Sequence, residues 1–485
     1  MTIRAGAGAH LGNEALGNEA LSDTRARRQH GRDRPAGGRT FSAPESAVDR
    51  LVDAGVRGVA LTFVDTAGIT RVKTVPLARL DRTAVSGVGM SPVFDTFVSD
   101  DSITSTDRLG GPDGDLRLVP DLDQLVPLAG QPGWAWAPVN RFEQDGTPHA
   151  ACQRLFAARM VTAAAERGLS LQMAFEIEWA LGERGRADFV PACAGPAYGM
   201  TRLVELSDYA AELIGALEQQ GCEVEQLHPE YAAGQYEVSV GPLDPVAAAD
   251  RSVLVRQTIR ALSYRHGYQP SYAPSVIAGS VGNGGHVHLS LWRAEENLGS
   301  GGPGPYGLTR TAEAFVAGVL DHLVPLLAIG APTPASYLRL VPSHWAGAYA
   351  VWGHETREAA LRLVTGAPAS ANLEVKCFDL AANPYLVVGA LIAAGLDGID
   401  RELRLPPEVD GDPARFDPAE ATARGVARLP QSLTEVTDAF AKSTVLRAAL
   451  GITLADAVIA VRRAEERRFA DADPDAIAAA LRWVY

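Results

Sequence analysis

The rhythm of hydrophobic and polar positions changes several times along the chain. From Val59 to Val75, apolar residues recur on both sides of Asp65-Thr-Ala-Gly68, which predicts two strands joined by a tight turn. A stretch rich in Gly, Pro and Asp follows to about residue 148. It contains Asp100-Asp101 and the run Gly114-Asp-Leu-Arg-Leu-Val-Pro-Asp121. At Gln153 the pattern turns helical and runs to Gly168, a residue suited to a left-handed C-cap. Helices then alternate with short strands to about residue 400, and from about 430 to the end the chain reads as amphipathic helix rich in Ala and Arg. Residues 1–45 differ from all of this. Gly, Ala, Arg and Asn dominate, and Leu11-Gly-Asn-Glu-Ala repeats at once from Leu16, so this segment is expected to be a disordered tail.

Length and composition narrow the class. At 485 residues, 47% hydrophobic and 21% charged, the chain can build a full core, with one large and one smaller domain the natural division. A net charge of −14 excludes a nucleic-acid partner, which needs a basic face, and suits collection of divalent cations. No run of eighteen apolar residues predicts a membrane span, and the N-terminus lacks the apolar centre of a secretory signal. A cytoplasmic protein is expected. Cys152, Cys193, Cys222 and Cys377 are scattered without metal or redox spacing and read as buried free thiols.

Four groups of residues carry candidate chemistry. Glu176 and Glu178, two apart in Phe-Glu-Ile-Glu-Trp, share one face of a strand, where two carboxylates repel unless a cation sits between them. His228-Pro-Glu230 and Glu237 flank a glycine turn. Gly282-Asn-Gly284-Gly-His286-Val-His288-Leu-Ser290 enters a His-x-His strand through a glycine loop whose amides can approach a ligand closely. Arg339, Arg357 and Arg362 suit carboxylate and phosphate oxygens, and Glu374 and Lys376 follow. Any one of these also reads as a wet strand face, a core histidine or a surface arginine. Taken together, five glutamates and a histidine from separate segments suit Mg²⁺ or Mn²⁺ rather than a thiolate-bound metal. Two such ions could bridge a polyphosphate, while arginines offset the charge of phosphoryl transfer. No P-loop is present, so ATP must be held in another way.

In this order and at these separations, the segments resemble the glutamine synthetase family over roughly residues 50–485. The strongest pieces are Glu176-x-Glu178, Glu230…Gly234-Gln235-x-Glu237, Gly284-Gly-His286-Val-His288-x-Ser290 and Ser336-Tyr-x-Arg339-Leu. Arg357-Glu-Ala-Ala-Leu-Arg362 and Ala382-Asn-Pro-Tyr-Leu386 extend it. The resemblance implies an α+β protein: a small β-grasp domain over 46–148 and a large catalytic domain over 149–485, with a curved antiparallel sheet flanked by helices. It implies a homo-oligomer, commonly a dodecamer of two hexameric rings. By motif, Glu178, Glu230 and Glu237 correspond to ligands of one metal, and Glu176, His286 and Glu374 to ligands of a second. His288 and Ser290 are similar to nucleotide contacts, Arg357 and Arg362 to phosphate contacts. Arg339 is similar to a contact to the acid's carboxylate, with Gly282 and Gly284 in its cradle. Asp100 or Asp101 corresponds to the aspartate lent across the subunit boundary. The implied reaction phosphorylates a side-chain carboxylate with ATP, and an amine then displaces the phosphate.

Three departures from that pattern bear on the substrate. Where ammonia-using members carry a flap glutamate, this chain has Ser343-His344-Trp345-Ala346-Gly347, and an indole suits a larger amine better than ammonium. The family's Arg-x-Glu-x-Arg is here Asn372-Leu-Glu374-Val-Lys376, and Ser275 stands near the place of a family lysine. The expected reaction joins glutamate or a similar acid to an amine larger than ammonia. Ordinary glutamine synthesis, a non-catalytic ring and a metal-dependent hydrolase are the competing readings.

Overall fold

The computed structural model describes residues 45–485, and the tail expected before them lies outside the described residues. The first sheet comprises β1 (Gly58–Val64), β2 (Thr70–Pro76), β3 (Val88–Met90), β4 (Leu116–Pro120), β5 (Val126–Pro127) and β6 (Trp134–Phe142). Their order is β2-β1-β6-β4-β3, with β5 beside β6. The β1–β6 pair is parallel and the remaining pairs are antiparallel. β1 and β2 are the two strands expected around the Asp65–Gly68 turn. Gly68 is needed there: its φ is +86°, and a Cβ would stand 1.9 Å from the Ala381 carbonyl oxygen. Val59, Leu61 and Phe63, alternate residues of β1, bury one face against Leu77, Leu80, Leu118 and Val139 in a core of their own.

The second sheet comprises β7 (Ser170–Glu183), β8 (Val224–Pro229), β9 (Gln235–Val240), β10 (Tyr268–Ser271), β11 (Val287–Arg293), β12 (Glu296–Asn297), β13 (Tyr349–His354), β14 (Ala359–Val364) and β15 (Asn372–Val375). They run β13-β14-β15-β11-β7-β9-β8, with β10 beside β7 and β12 beside β11. The sheet is antiparallel with one departure from expectation, since β13 and β14 pair in parallel. The connection 355–358 therefore doubles back instead of closing a hairpin, and Glu355 takes a left-handed φ of 54° within it.

Phe175, Ile177 and Trp179 of β7 point into the main core, which leaves Glu176 and Glu178 on the opposite face. Helices Gln153–Ala165, Pro245–Arg265 and Pro384–Asp400 contribute to that core. The first ends before Gly168, which takes the expected left-handed φ of +69° in a turn closed by the Leu169 amide on the Ala164 carbonyl. Helices Leu433–Lys442, Thr444–Leu450, Ile452–Arg468 and Pro474–Leu481 form the C-terminal region. All four cysteines are buried and free. Among the described residues, no single helix is long and apolar enough to cross a membrane.

Candidate active site

Strand register assembles the site. Across β8, β9 and β7, His228 lies opposite Glu237, and Glu237 opposite Glu178. Across β11, β15 and β14, His288 lies opposite Glu374, and Glu374 opposite Arg362. Because residues two apart share a face, Glu176 joins Glu178, His286 joins His288, and Lys376 joins Glu374, while Ile177, Val287 and Val375 between them are fully buried in the core. Apart from His288, the polar row faces a cavity of about 530 Å³.

Backbone and side-chain contacts fix the acids before any ligand binds. Glu178 Oε2 accepts from the Gly284 amide at 2.7 Å and from Gln235 Nε2 at 3.1 Å. Gln235 Nε2 also lies 3.0 Å from the Gly282 carbonyl. A Cβ on Gly284 would stand 2.4 Å from His286 Nε2 and 2.9 Å from both Arg339 Nη2 and Glu178 Oε1, so only glycine lets this strand approach. His286 Nδ1 lies 2.8 Å from Glu176 and 3.4 Å from Glu374. Arg339 Nη2 donates to His286 Nε2 at 3.1 Å and to the Lys376 carbonyl at 3.0 Å. Glu374 receives Lys376 Nζ at 2.9 Å and Arg362 Nη1 at 3.1 Å.

The electrostatics divide the cavity. Toward β15, burial opposes ionisation, but His286 and His288 hold Glu176 well below the usual carboxylate range. Likewise Lys376, His286 and His288 hold Glu374 at about 2 despite its burial. His288 is pushed up to about 9, its burial outweighed by Glu176. Toward β8 the cations are missing. Burial, then Glu176, Glu178 and Glu230, push Glu237 up to about 10, and burial and Glu178 raise Glu230. His228 Nδ1, Arg339 Nη1 and Arg362 Nε are buried without hydrogen-bond partners. Crowded acids with an imidazole, two of them raised by burial and by neighbouring carboxylates, fit divalent cations.

In this cavity, potential ligand atoms fall into three overlapping groups, each within 4.8 Å: Glu176–His286–Glu374, Glu178–Glu237–His286, and His228–Glu230–Glu237. The first is the set that the resemblance implies for one metal. The other set, Glu178, Glu230 and Glu237, is spread over the remaining two groups, which add His286 and His228. Arg357 lines the same cavity, is exposed, and has no ion-pair or hydrogen-bond partner among the described residues. His288 and Ser290 line an adjoining cavity of about 390 Å³ that shares Glu176 and Gln226 with the first. Asn372 lines the second cavity and bonds His288 Nδ1 at 2.9 Å. Asp100 and Asp101 are not brought to this cavity. Asp100 pairs with Arg468 at 3.1 Å and Asp101 with Arg71 at 2.7 Å.

Sequence reasoning gave no site role to Tyr198, His228, Tyr231 or His344, all of which line the main cavity. Trp345 stands across the mouth from Tyr231, with ring centroids 5.0 Å apart and planes tilted by 51°. Both rings are partly exposed, at 41% and 46%. Tyr198 packs edge-on to His228 at 6.1 Å. The opening is thus lined by acids and by an aromatic pair.

Known proteins share this chain's sequence and fold. A family model described as the glutamine synthetase catalytic domain matches residues 150–477, and one described as the glutamine synthetase N-terminal domain matches residues 46–149. The gamma-glutamylpolyamine synthetase GlnA3 of Streptomyces coelicolor is 61% identical over 442 residues, covering 90% of this chain and 95% of the relative. A glutamine synthetase of Pyrococcus abyssi is 30% identical over 81% of this chain and 86% of its own. Among solved structures, a novel glutamine synthase homolog superposes with a TM-score of 0.79 at 34% identity, covering 89% of this chain and 99% of that one. A GmaS/ADP complex superposes with a TM-score of 0.78 at 28% identity, covering 87% and 96%.

Proposed function

The chain belongs to the glutamine synthetase family, and on that premise we propose that its amine substrate is a polyamine and that its site holds two Mg²⁺ or Mn²⁺ ions. It is an ATP-dependent carbon–nitrogen ligase that joins the side-chain carboxylate of glutamate to an amine larger than ammonia through an acyl phosphate. Its substrates are small molecules, and its family uses ATP with a divalent metal. Glu176, His286 and Glu374 would hold one ion, and Glu178, Glu230 and Glu237 the other, with His228 beside the second set. Bound there, the ions supply positive charge to the phosphate oxygens.

The chain's own residues do the rest. Arg339, buried and with Nη1 unpartnered, is assigned to the acid's carboxylate, with the Gly282–Gly284 backbone as its cradle. His288 and Ser290 are assigned to the nucleotide, and the unpaired Arg357 to the transferred phosphate together with Arg362. The amine nitrogen attacks the acyl carbon, the carbon–oxygen bond to phosphate breaks, and a carboxylate of the cavity takes the amine's extra proton. Lys376 is assigned to the acid-binding end, where its ion pair with Glu374 replaces part of the charge that a guanidinium would bring.

The observation that carries the amine assignment is the mouth: Trp345 and Tyr231 offer an apolar, cation-attracting wall where ammonium would need a carboxylate. The first sheet's own core supports a division into an N-terminal domain to about 148 and a catalytic domain from 149, with Val64, Leu109, Leu128 and Trp136 joining the main core. A cytoplasmic dodecamer of two hexameric rings, with Asp100 or Asp101 reaching a neighbour's site, completes the proposal. The test is phosphate release from ATP with glutamate, Mg²⁺ and a panel of ammonium, alkylamines, ethanolamine and polyamines, with products weighed by mass spectrometry. Release that tracks a polyamine, with a product of glutamate plus amine less water, supports the assignment. Release with ammonium alone overturns it.

A further inference from the structure

Three features of the segment around Trp345 belong together. Ser343 (φ 62°) and Trp345 (φ 56°) both occupy the left-handed region, which side-chain-bearing residues rarely adopt. Their amides point at one side chain: Ser343 N donates to Glu358 Oε2 at 3.2 Å, and Trp345 N to Glu358 Oε1 at 2.8 Å. Glu358 is 8% exposed and directly precedes β14, so its own backbone is anchored to the sheet that carries the site. A carboxylate that receives two amides two residues apart fixes the turn between them, because both charge-assisted bonds are made with the chain in these strained dihedrals.

We propose that Glu358 is a positioning residue for amine selection, holding the Ser343–Trp345 turn so that the Trp345 indole meets Tyr231 across the cavity mouth. This rests on the reading of the chain as a ligase for a larger amine. Glu358 is not among the residues that line the cavity, so its effect passes through the ring it positions. Tyr231 follows Glu230 in the β8–β9 turn, where the Glu230 carboxylate accepts from the Tyr231 amide at 3.0 Å. The two halves of the aromatic pair are therefore each held by a carboxylate.

Steady-state kinetics on the full-length protein test the proposal, with putrescine and ammonium as alternative amines. For Glu358→Ala, the putrescine KM is expected to rise about tenfold, the scale of a lost coupling between neighbouring groups, while the KM values for ATP and glutamate stay within about twofold. Glu358→Gln, which keeps one acceptor oxygen, is expected to fall between the wild type and Glu358→Ala. In a Trp345→Ala background, Glu358→Ala is expected to add nothing to the putrescine KM. Independent, multiplying effects in that double variant, or an unchanged putrescine KM in Glu358→Ala, overturn the proposal. If Glu358→Ala does not fold, Glu358→Gln and Tyr231→Ala decide it. Both are expected to raise the putrescine KM, and no rise in either overturns it. A wild type without preference for the larger amine overturns the ligase reading and this inference together. A wild type with that preference and an indifferent Glu358 variant overturns this inference alone.

Discussion

Glu178 receives the Gly284 amide and the Gln235 amide group, so a side chain at Gly284 would disturb an acid already held in place. Gly284→Ala would push a methyl group against His286 and Arg339. Activity is expected to fall by about 100-fold or more, as misplacement by an ångström does, without loss of the fold by circular dichroism. A second expectation follows from Glu237. It is pushed up to about 10, so in metal-free protein it stays protonated from its usual value of 4.5 to that point. A divalent cation requires the carboxylate form. Metal binding at pH 7 to 8 should therefore release a proton, and affinity should rise with pH. Titration calorimetry in two buffers of different ionisation heat checks this; no buffer dependence would contradict it. Third, Trp345→Glu should raise the use of ammonium relative to larger amines, measured as a ratio of kcat/KM values.

At this scale the sequence was informative where residue types repeat at strand spacing, as in Glu176-x-Glu178 and His286-x-His288. It was silent on Tyr198 and Tyr231, because an exposed tyrosine acquires a role only when a turn carries it to a cavity. The Lys376–Glu374 pair follows from the same two-residue spacing.

The sheet turns these residues into a site, since six segments each contribute one or two side chains to a row perpendicular to the strands. Such a row needs fixed register, and a one-residue slip of β9 would send Glu237 to the core face. The two strands around the Asp65–Gly68 turn and the helix begun at Gln153 were legible from alternation and from glycine punctuation. The parallel β13–β14 pair was not, because two short strands separated by four residues read as a hairpin by pattern alone. Helix packing was also hidden. Gly318 of Arg310–Asp321 and Gly398 of Pro384–Asp400 meet so closely that a Cβ on Gly398 would lie 2.5 Å from the Gly318 Cα. Gly398→Ala is expected to destabilise the protein by about 1–3 kcal/mol through overpacking, seen as a lower Tm with unchanged KM values.

Over the whole molecule, the acidic surface, the two hydrophobic cores and the strand-built cavity agree with one another, and the α+β class was readable from the alternation of patterns. The partners of Asp100 and Asp101 were not, because nothing in the spacing of that loop fixes which side chains it meets. In this chain they are held by Arg468 and Arg71, away from its own cavity. Selection of an amine larger than ammonia is tested most simply by direct competition. Purified protein would be given ATP, Mg²⁺, glutamate and equal concentrations of ammonium and putrescine in one vessel, and both products counted by mass spectrometry. γ-Glutamylputrescine is expected to outnumber glutamine at least about tenfold, since ammonium lacks the methylenes that an aromatic wall can bury. A mixture dominated by glutamine would contradict it.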